Sequence, residues 1–220
     1  MKPGTEPAGD SHRSNQPAES RSTLPSVRTD DATYAQRLRT LQFAKWKQVL
    51  HVQAPYQANL RRQHLGRTLD VGCGIGRNLG VLEAGSVGVD HNETSIKIAR
   101  EAGFTAYTLD EFAEAQLPHE SFDGLLFAHI LEHMDAATGV ELVEGYLPYL
   151  RHGGTVFIIC PQERGFATDE THVEFMDGPK LRALCEQVGL TPGRVRSFPF
   201  PRAIGKAFAY NEFCLRATKQ

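Results

Sequence analysis

The sequence predicts an α/β fold in which helices cover both faces of a doubly wound, mostly parallel sheet. Short apolar runs alternate with segments of helical periodicity from residue 67 onward. A glycine turn follows the first apolar run, and an acid ends the second run, as in a nucleotide-binding βαβ unit. The 220 residues, 40% hydrophobic and 23% charged, suffice for one such domain with extensions.

The N-terminal quarter of the chain is predicted to lie outside that domain. Residues 1–28 are rich in Pro, Ser, Gly, Glu and Arg and nearly lack large apolar side chains, so we expect a disordered tail. Residues 29–64 predict two helices, an amphipathic one from about Asp31 to Val52 and a second from Pro55 to His64. Residues 65–220 then form the main domain.

The main domain is organised around its first strand and the turn after it. Thr68–Val71 is a short apolar run typical of a buried strand. Three glycines follow at alternate positions, namely Gly72, Gly74 and Gly76. Glycine allows a sharp turn and lets a ligand approach the backbone closely. We expect a helix from about Arg77 to Ala84 and a second strand from Ser86 to Val89, ended by Asp90.

The residues around this turn favour S-adenosylmethionine over a dinucleotide. Asp70 precedes the first glycine by two residues, and Arg77 stands where the dinucleotide fingerprint has its third glycine. A pyrophosphate requires bare helix N–H groups, whereas a carboxylate suits a ligand without phosphate that carries an ammonium and a sulfonium. Asp90 would meet ribose hydroxyls in both cases. An NAD-dependent oxidoreductase therefore stays an alternative.

Five segments resemble, in order and spacing, the motifs of class I S-adenosylmethionine-dependent methyltransferases. They are Asp70–Gly76, Gly88–Asp90, Ser121–Phe127, Leu131–Met134 and Leu150–Val156. The resemblance covers about residues 67 to 217 and is closest to the small-molecule, ubiquinone-pathway-like branch. It implies a seven-stranded sheet with an antiparallel last strand. It also implies that the N-terminal helices form a lid over the cofactor cleft, although they could instead merely pack on the sheet edge.

The same resemblance assigns the cofactor-binding residues. Asp70 and the glycine turn would hold the amino acid half, Asp90 the ribose, and Asp110, after a third strand, the adenine. The full set is Asp70, Gly72, Cys73, Gly74, Asp90, His91, Asp110 and Ala128. The Leu-Pro pair that follows Asp110 comes later than in the family. Glu111 or backbone groups are therefore alternatives, as is a helix N-cap at Asp110.

The segment after the fourth strand carries most of the ionisable side chains that are candidates for catalysis. His129, Glu132 and His133 fall within one helical turn, and His172 follows the fifth strand. Because parallel strands end at one edge of a sheet, we expect these segments to meet above the cofactor.

Three interpretations of this cluster remain open. A histidine is a general base for an O-methyl acceptor. In the second interpretation, a divalent metal is bound by His129, Glu132, His133 and His172. This pattern is similar to the Glu-x-x-Glu-His motif of ubiquinone-pathway and small-RNA 3′-end methyltransferases, except that His129 replaces the first Glu. In the third interpretation, Leu131–His133 is structural and hydrogen-bonds the neighbouring loop.

The C-terminal segment from Phe198 to Asn211 is aromatic and contains two cations, Arg202 and Lys206. One hypothesis makes it a wall of the acceptor pocket, with a cation meeting an anionic acceptor. The other makes it a loop before the last strand.

Charge and composition narrow the functional class. A net charge of −2 and a pI of about 6.5 give no basic surface for nucleic acid and no polybasic membrane patch. No apolar run reaches membrane length, and we expect no secretory signal because the N-terminal residues lack an apolar h-region. The four cysteines are isolated, which favours a reducing cytoplasm.

The sequence thus predicts a cytoplasmic S-adenosylmethionine-dependent methyltransferase that acts on a small molecule, at oxygen, with a divalent metal possible. Three alternatives differ in class: a metal-dependent RNA 3′-end methyltransferase, an NAD-dependent oxidoreductase, and a non-catalytic cofactor-binding regulator. A small-molecule acceptor is the expected partner, nucleic acid and membrane are not expected as partners, and the oligomeric state stays open.

Overall fold

A computed structural model describes Met1 and residues 53–220 of the chain. The predicted tail beyond Met1 and the predicted helix from Asp31 to Val52 lie outside the described residues, so the proposed domain boundaries stay predictions. Within the described residues, no helix is long and apolar enough to cross a membrane.

The fold is built on one mixed sheet whose strands run in the order β3-β2-β1-β4-β5-β8-β6, with β7 also paired to β8. The strands are β1 Thr68–Val71, β2 Val87–Val89, β3 Ala106–Tyr107, β4 Phe122–Ala128, β5 Leu150–Pro161, β6 Leu190–Pro192, β7 Arg196–Phe198 and β8 Glu212–Lys219. The first five are parallel, and β8 is antiparallel to β5, β6 and β7. The doubly wound, mostly parallel α/β prediction is confirmed, with one short strand, β7, beyond the seven of the main order.

Six helices connect and cover these strands in the described part of the chain. They are α1 Ala54–Arg61, α2 Glu93–Glu101, α3 Leu109–Glu114, α4 Ala136–Tyr146, α5 Glu163–Phe166 and α6 Gly178–Gln187. Short 3₁₀ turns occupy Leu131–His133, Leu147–Tyr149 and Arg202–Lys206.

Both faces of the sheet are buried, because successive side chains of a strand point to opposite faces. In β4, Leu125 and Phe127 enter the larger core, which includes helices α4 and α6. Leu126 enters a second core with Leu60 of α1 and Phe157 of β5. Helix α1 therefore packs on the face of the sheet opposite to α4 and α6.

Three predicted elements differ from the structure. Residues 77–84 form turns and a bend rather than a helix, and Gly80 within this segment weakens a helix by about 1 kcal/mol. The third strand, predicted from Phe104 to Leu109, is only two residues long because Thr108 caps α3 in a capping box with Glu111. The sequence also predicts a helix from about Ala137 to His152 after the fourth strand, but this helix ends at Tyr146. Pro148 follows in a 3₁₀ turn, and β5 already begins at Leu150.

Candidate active site

A cavity of about 800 Å³ opens at the carboxyl-terminal edge of the parallel strands. Its walls come from the glycine turn after β1, the end of β2, the turn after β4, the loop after β5, helix α1 and the start of β8. Parallel sheets bind ligands at this edge, as the sequence predicts.

The glycine turn presents bare backbone to the cavity. All three glycines have positive φ, with Gly74 at +52°. A side chain at Gly72 would come within 2.6 Å of Ile130, whereas one at Gly74 would meet nothing within 4 Å. Gly74 thus leaves open space where a ligand can approach the main chain.

Asp90 is held in place by two backbone donors. One of its carboxylate oxygens accepts the Gly74 N–H at 2.8 Å, and the other accepts the Asn92 N–H at 2.8 Å. The side chain lines the cavity at the end of β2 and is therefore fixed next to the turn. Cys73, His91 and Ala128, also assigned from the sequence, line the same cavity.

Asp70 lies in β1 and does not line the cavity. It is fully buried, and neither carboxylate oxygen has a hydrogen-bond partner among the described residues. Burial raises its pKa to about 7, the side-chain amide of Asn78 opposes that rise, and the charge of Asp90 adds to it. A buried acid behind an open glycine turn favours a ligand that brings positive charge to that turn.

The structure does not bring Asp110 to this cavity. Asp110 is exposed in the first turn of α3, and the N-cap of that helix is Thr108 rather than Asp110. The alternative, Glu111, is occupied by Arg100 and by the backbone of Thr108. No geometry therefore supports an adenine contact at either residue.

His129 is held between two carboxylates at the end of β4. Its backbone adopts a left-handed conformation with φ of +56°. Nδ1 lies 3.1 Å from Glu132 Oε1, and Nε2 lies 2.9 Å from Glu212 Oε1. Desolvation alone would lower its pKa, but the two carboxylates prevail and raise the pKa to about 10. The raised pKa favours a protonated His129 with both nitrogens occupied at neutral pH, which makes it a poorer candidate for the general base than a neutral histidine.

His133 and His172 form a pair on the cavity wall, with ring centroids 4.8 Å apart. The loop after β5 reaches the turn after β4 because the Val173 N–H donates to the Glu132 carbonyl at 2.7 Å. Burial and the neighbouring His172 lower the pKa of His133 despite the charge of Glu132. His133 is thus predominantly neutral at pH 7, as a proton acceptor must be.

Glu132, His133 and His172 fit a divalent metal ion, and His129 does not join them. One ligand atom from each of the three residues lies within 4.8 Å of the others. Glu132 is fully buried, and its Oε2 has no partner among the described residues. Nδ1 of His172 lies 2.7 Å from the Phe166 carbonyl, which leaves Nε2 available as a ligand. One carboxylate and two imidazoles suit Zn²⁺, Mn²⁺ or Fe²⁺.

The C-terminal segment contributes aromatic rings rather than cations. Phe208, Ala209 and Tyr210 line the cavity, but Arg202 and Lys206 do not. Arg202 instead bonds Glu163 and lies 4.7 Å over the Phe213 ring. The hypothesis that these cations meet an anionic acceptor therefore lacks support.

Two cavity residues, Asp169 and Glu212, were not predicted from the sequence, whereas Tyr56 lies on the helix whose inward face the sequence predicts. The Tyr56 hydroxyl donates to the Tyr210 carbonyl at 2.7 Å and so connects α1 with the C-terminal wall. Glu212 reaches the cavity only because β8 runs antiparallel to β5, opposite Pro161.

Comparisons with known proteins agree with this geometry. A family model described as a methyltransferase domain matches residues 69–158. A comparison with curated protein sequences gives no match.

The structure is similar to several solved structures of low sequence identity. A SAM-dependent methyltransferase from Archaeoglobus fulgidus is 23% identical, with a TM-score of 0.60 over 74% of this chain and 93% of that one. Magnesium protoporphyrin IX methyltransferase from Synechocystis PCC 6803, with bound SAH, is 15% identical, with a TM-score of 0.58 over 87% of this chain and 100% of that one. A possible histamine N-methyltransferase from Thermotoga maritima is 18% identical, with a TM-score of 0.61 over 85% of this chain and 98% of that one.

Residues 69–158 thus match a methyltransferase domain, in line with the predicted resemblance to class I methyltransferases, and the methyltransferase fold is confirmed. S-adenosylmethionine remains the predicted cofactor. The ubiquinone-pathway-like branch and the roles of the individual site residues stay predictions.

Proposed function

We propose that the protein methylates a hydroxyl group of a small-molecule acceptor in the cytoplasm. The observation that supports this most directly is the His133–His172 pair, which shares one cavity with the glycine turn. S-adenosylmethionine supplies a methyl group already activated by its sulfonium, so the protein must mainly align the acceptor and accept its proton. The four buried free cysteines support a reducing compartment.

Each half of the cavity has its own task in this proposal. The Gly74 backbone and Asp90 hold the cofactor, and Asp70 provides negative charge behind the turn. In the other half, Nδ1 of His133 lies near the Thr171 carbonyl and hydroxyl oxygens, at 3.3 and 3.1 Å. If Nδ1 carries the proton, Nε2 is the basic atom, and it takes the proton of the acceptor hydroxyl.

A metal-assisted reaction is the second candidate, favoured by the Glu132–His133–His172 cluster. A divalent ion held there would make an acceptor hydroxyl more acidic. The RNA 3′-end version of this candidate has little support. Arg77 is the only lysine or arginine among the described residues that line the cavity. Binding of a phosphate backbone requires several such cations.

Calorimetric titration with S-adenosylhomocysteine and with NAD tests the cofactor. We expect binding of S-adenosylhomocysteine alone; binding of NAD alone would contradict the proposal. Release of S-adenosylhomocysteine during incubation with hydroxylated acceptors then tests catalysis. Transfer to any acceptor would also exclude a non-catalytic regulator.

Replacement of His133 by Ala is expected to lower turnover by a factor of about 10²–10⁴ with unchanged cofactor affinity. His152→Ala is the matched control, because His152 is exposed and lines no part of the cavity. Loss of activity in a chelator, restored by Mn²⁺ or Zn²⁺, would favour the metal-assisted reaction. Unchanged turnover in His133→Ala would remove both mechanisms.

A further inference from the structure

The acceptor half of the cavity carries more negative than positive charge. Its described carboxylates are Glu132, Asp169 and Glu212, and the His129 ring lies between two of them. Three carboxylates outnumber the single charge that this ring can carry. The charge that remains attracts cations and repels anionic acceptors.

Glu212 lies beside an aromatic wall. Tyr210 and Phe208 line the cavity with ring centroids 5.6 Å apart, and Tyr210 is half exposed. The Tyr56 hydroxyl donates to the Tyr210 carbonyl. Burial is the main cause of the raised pKa of Tyr56, and the nearby charge of Glu212 is the second cause. Carboxylates combined with aromatic faces bind organic ammonium ions.

Within the described residues, Glu212 uses only one of its two carboxylate oxygens. Its Oε1 lies against His129, while the other oxygen has no hydrogen-bond partner among the described residues. The side chain keeps 12% of its surface exposed on the cavity side. His129 thus holds Glu212 in place without covering it.

We propose that the acceptor is a cationic small molecule, a hydroxylated amine, whose ammonium group is held by Glu212 against Tyr210 and Phe208. This inference rests on the proposed function and names the substrate class for the same site. The ammonium lies on the C-terminal wall, and the hydroxyl faces the His133–His172 pair across the cavity.

Three phenols that differ in the charge of their tail test the charge preference. Tyramine carries an ammonium group, 4-ethylphenol a neutral group and 4-hydroxyphenylacetate a carboxylate. Binding is measured by calorimetry on the protein saturated with S-adenosylhomocysteine, in a chelator so that metal ions do not compete. We expect tyramine to bind at least about 10-fold more tightly than 4-ethylphenol, and 4-hydroxyphenylacetate to bind most weakly. No binding of tyramine, or equal binding of all three, would overturn the inference.

Variants then test the residues. Glu212→Gln keeps an oxygen for His129 but removes the negative charge. We expect this variant to bind tyramine only about 3-fold more tightly than 4-ethylphenol, or less. Tyr210→Leu should weaken tyramine more than 4-ethylphenol. Glu186→Gln, an exposed carboxylate on α6 away from the cavity, is the control and should preserve the preference. Undiminished preference in Glu212→Gln would show that another group selects the charge.

The outcomes separate this inference from the proposed function. If S-adenosylhomocysteine does not bind, the proposed function fails and the inference fails with it. If S-adenosylhomocysteine binds and neutral or anionic acceptors are methylated in preference to amines, only the inference fails.

Discussion

The two halves of the cavity are built in different ways. The cofactor half comes from one contiguous stretch, Gly72 to Asp90, and presents backbone atoms whose positions depend on glycine. The acceptor half joins residues from four separate segments, and ionisable side chains hold one another in place there. The cofactor half is therefore sensitive to shape, whereas the acceptor half is sensitive to charge and pH.

A side chain in the glycine turn is the most severe test of the cofactor half. Gly74→Val places a branched side chain in the open space beside the backbone, and we expect S-adenosylhomocysteine affinity to fall by at least about 100-fold. Gly103→Val is the matched control, since Gly103 also has positive φ and open surroundings but lies outside the cavity.

Both variants carry backbone strain of about 1–2 kcal/mol, so both should melt at a lower temperature. Only Gly74→Val should lose binding in calorimetry. Equal binding by both variants would show that the turn is not the cofactor site.

Loss of the Glu132 charge tests whether the acceptor half depends on electrostatics. Glu132→Gln leaves the His129 cation with Glu212 alone, and we expect unfolding to cost about 1–3 kcal/mol less at pH 7. Chemical denaturation with coincident fluorescence and circular dichroism measures this difference. An unchanged midpoint would mean that Glu132 contributes shape rather than charge.

Asp70→Asn separates function from stability within the cofactor half. The pKa of Asp70 is raised in the folded state, so its ionisation destabilises the fold as pH rises from about 4 towards 7. At pH 8 we expect Asp70→Asn to be more stable than the natural protein by about 1–3 kcal/mol, and near pH 4 equally stable.

The same variant should bind S-adenosylhomocysteine more weakly, because the negative charge is lost. Denaturation and calorimetry at pH 4 and pH 8 measure the two effects. A stability gain at pH 4 as large as at pH 8 would contradict the assigned cause.

The smallest expected effect concerns His129 in alkaline solution. Its pKa is raised to about 10, so its stabilising contribution is complete below about pH 6.5 and is lost as pH rises through 10. Asn tolerates the left-handed backbone of this position. The melting temperature of the natural protein should therefore fall by about 2–4 °C more than that of His129→Asn between pH 7 and pH 10. An equal fall of the melting temperature in both proteins between the two pH values would refute the contact of His129 with two carboxylates.

The sequence predicted the parts of the fold that depend on local pattern. The buried strands are apolar runs, and the glycine turn follows β1 as expected, since backbone conformation there depends on adjacent residues. The helix expected after the turn was wrong because glycines weaken a helix that the apolar pattern alone suggests. The adenine contact expected at Asp110 found no support, since Thr108 starts α3 and directs Asp110 to solvent.

The sequence by itself predicted the fold class, the cofactor and the proximity of the segments after β4 and β5, because all three follow from short motifs and strand order. Only the tertiary structure decided which histidine can act as a base. His129 and His133 look alike in the sequence, yet Glu212, 83 residues away, makes one a cation while burial keeps the other neutral. Such differences depend on the charges that the folded chain brings near each ring, and strand alternation does not encode them.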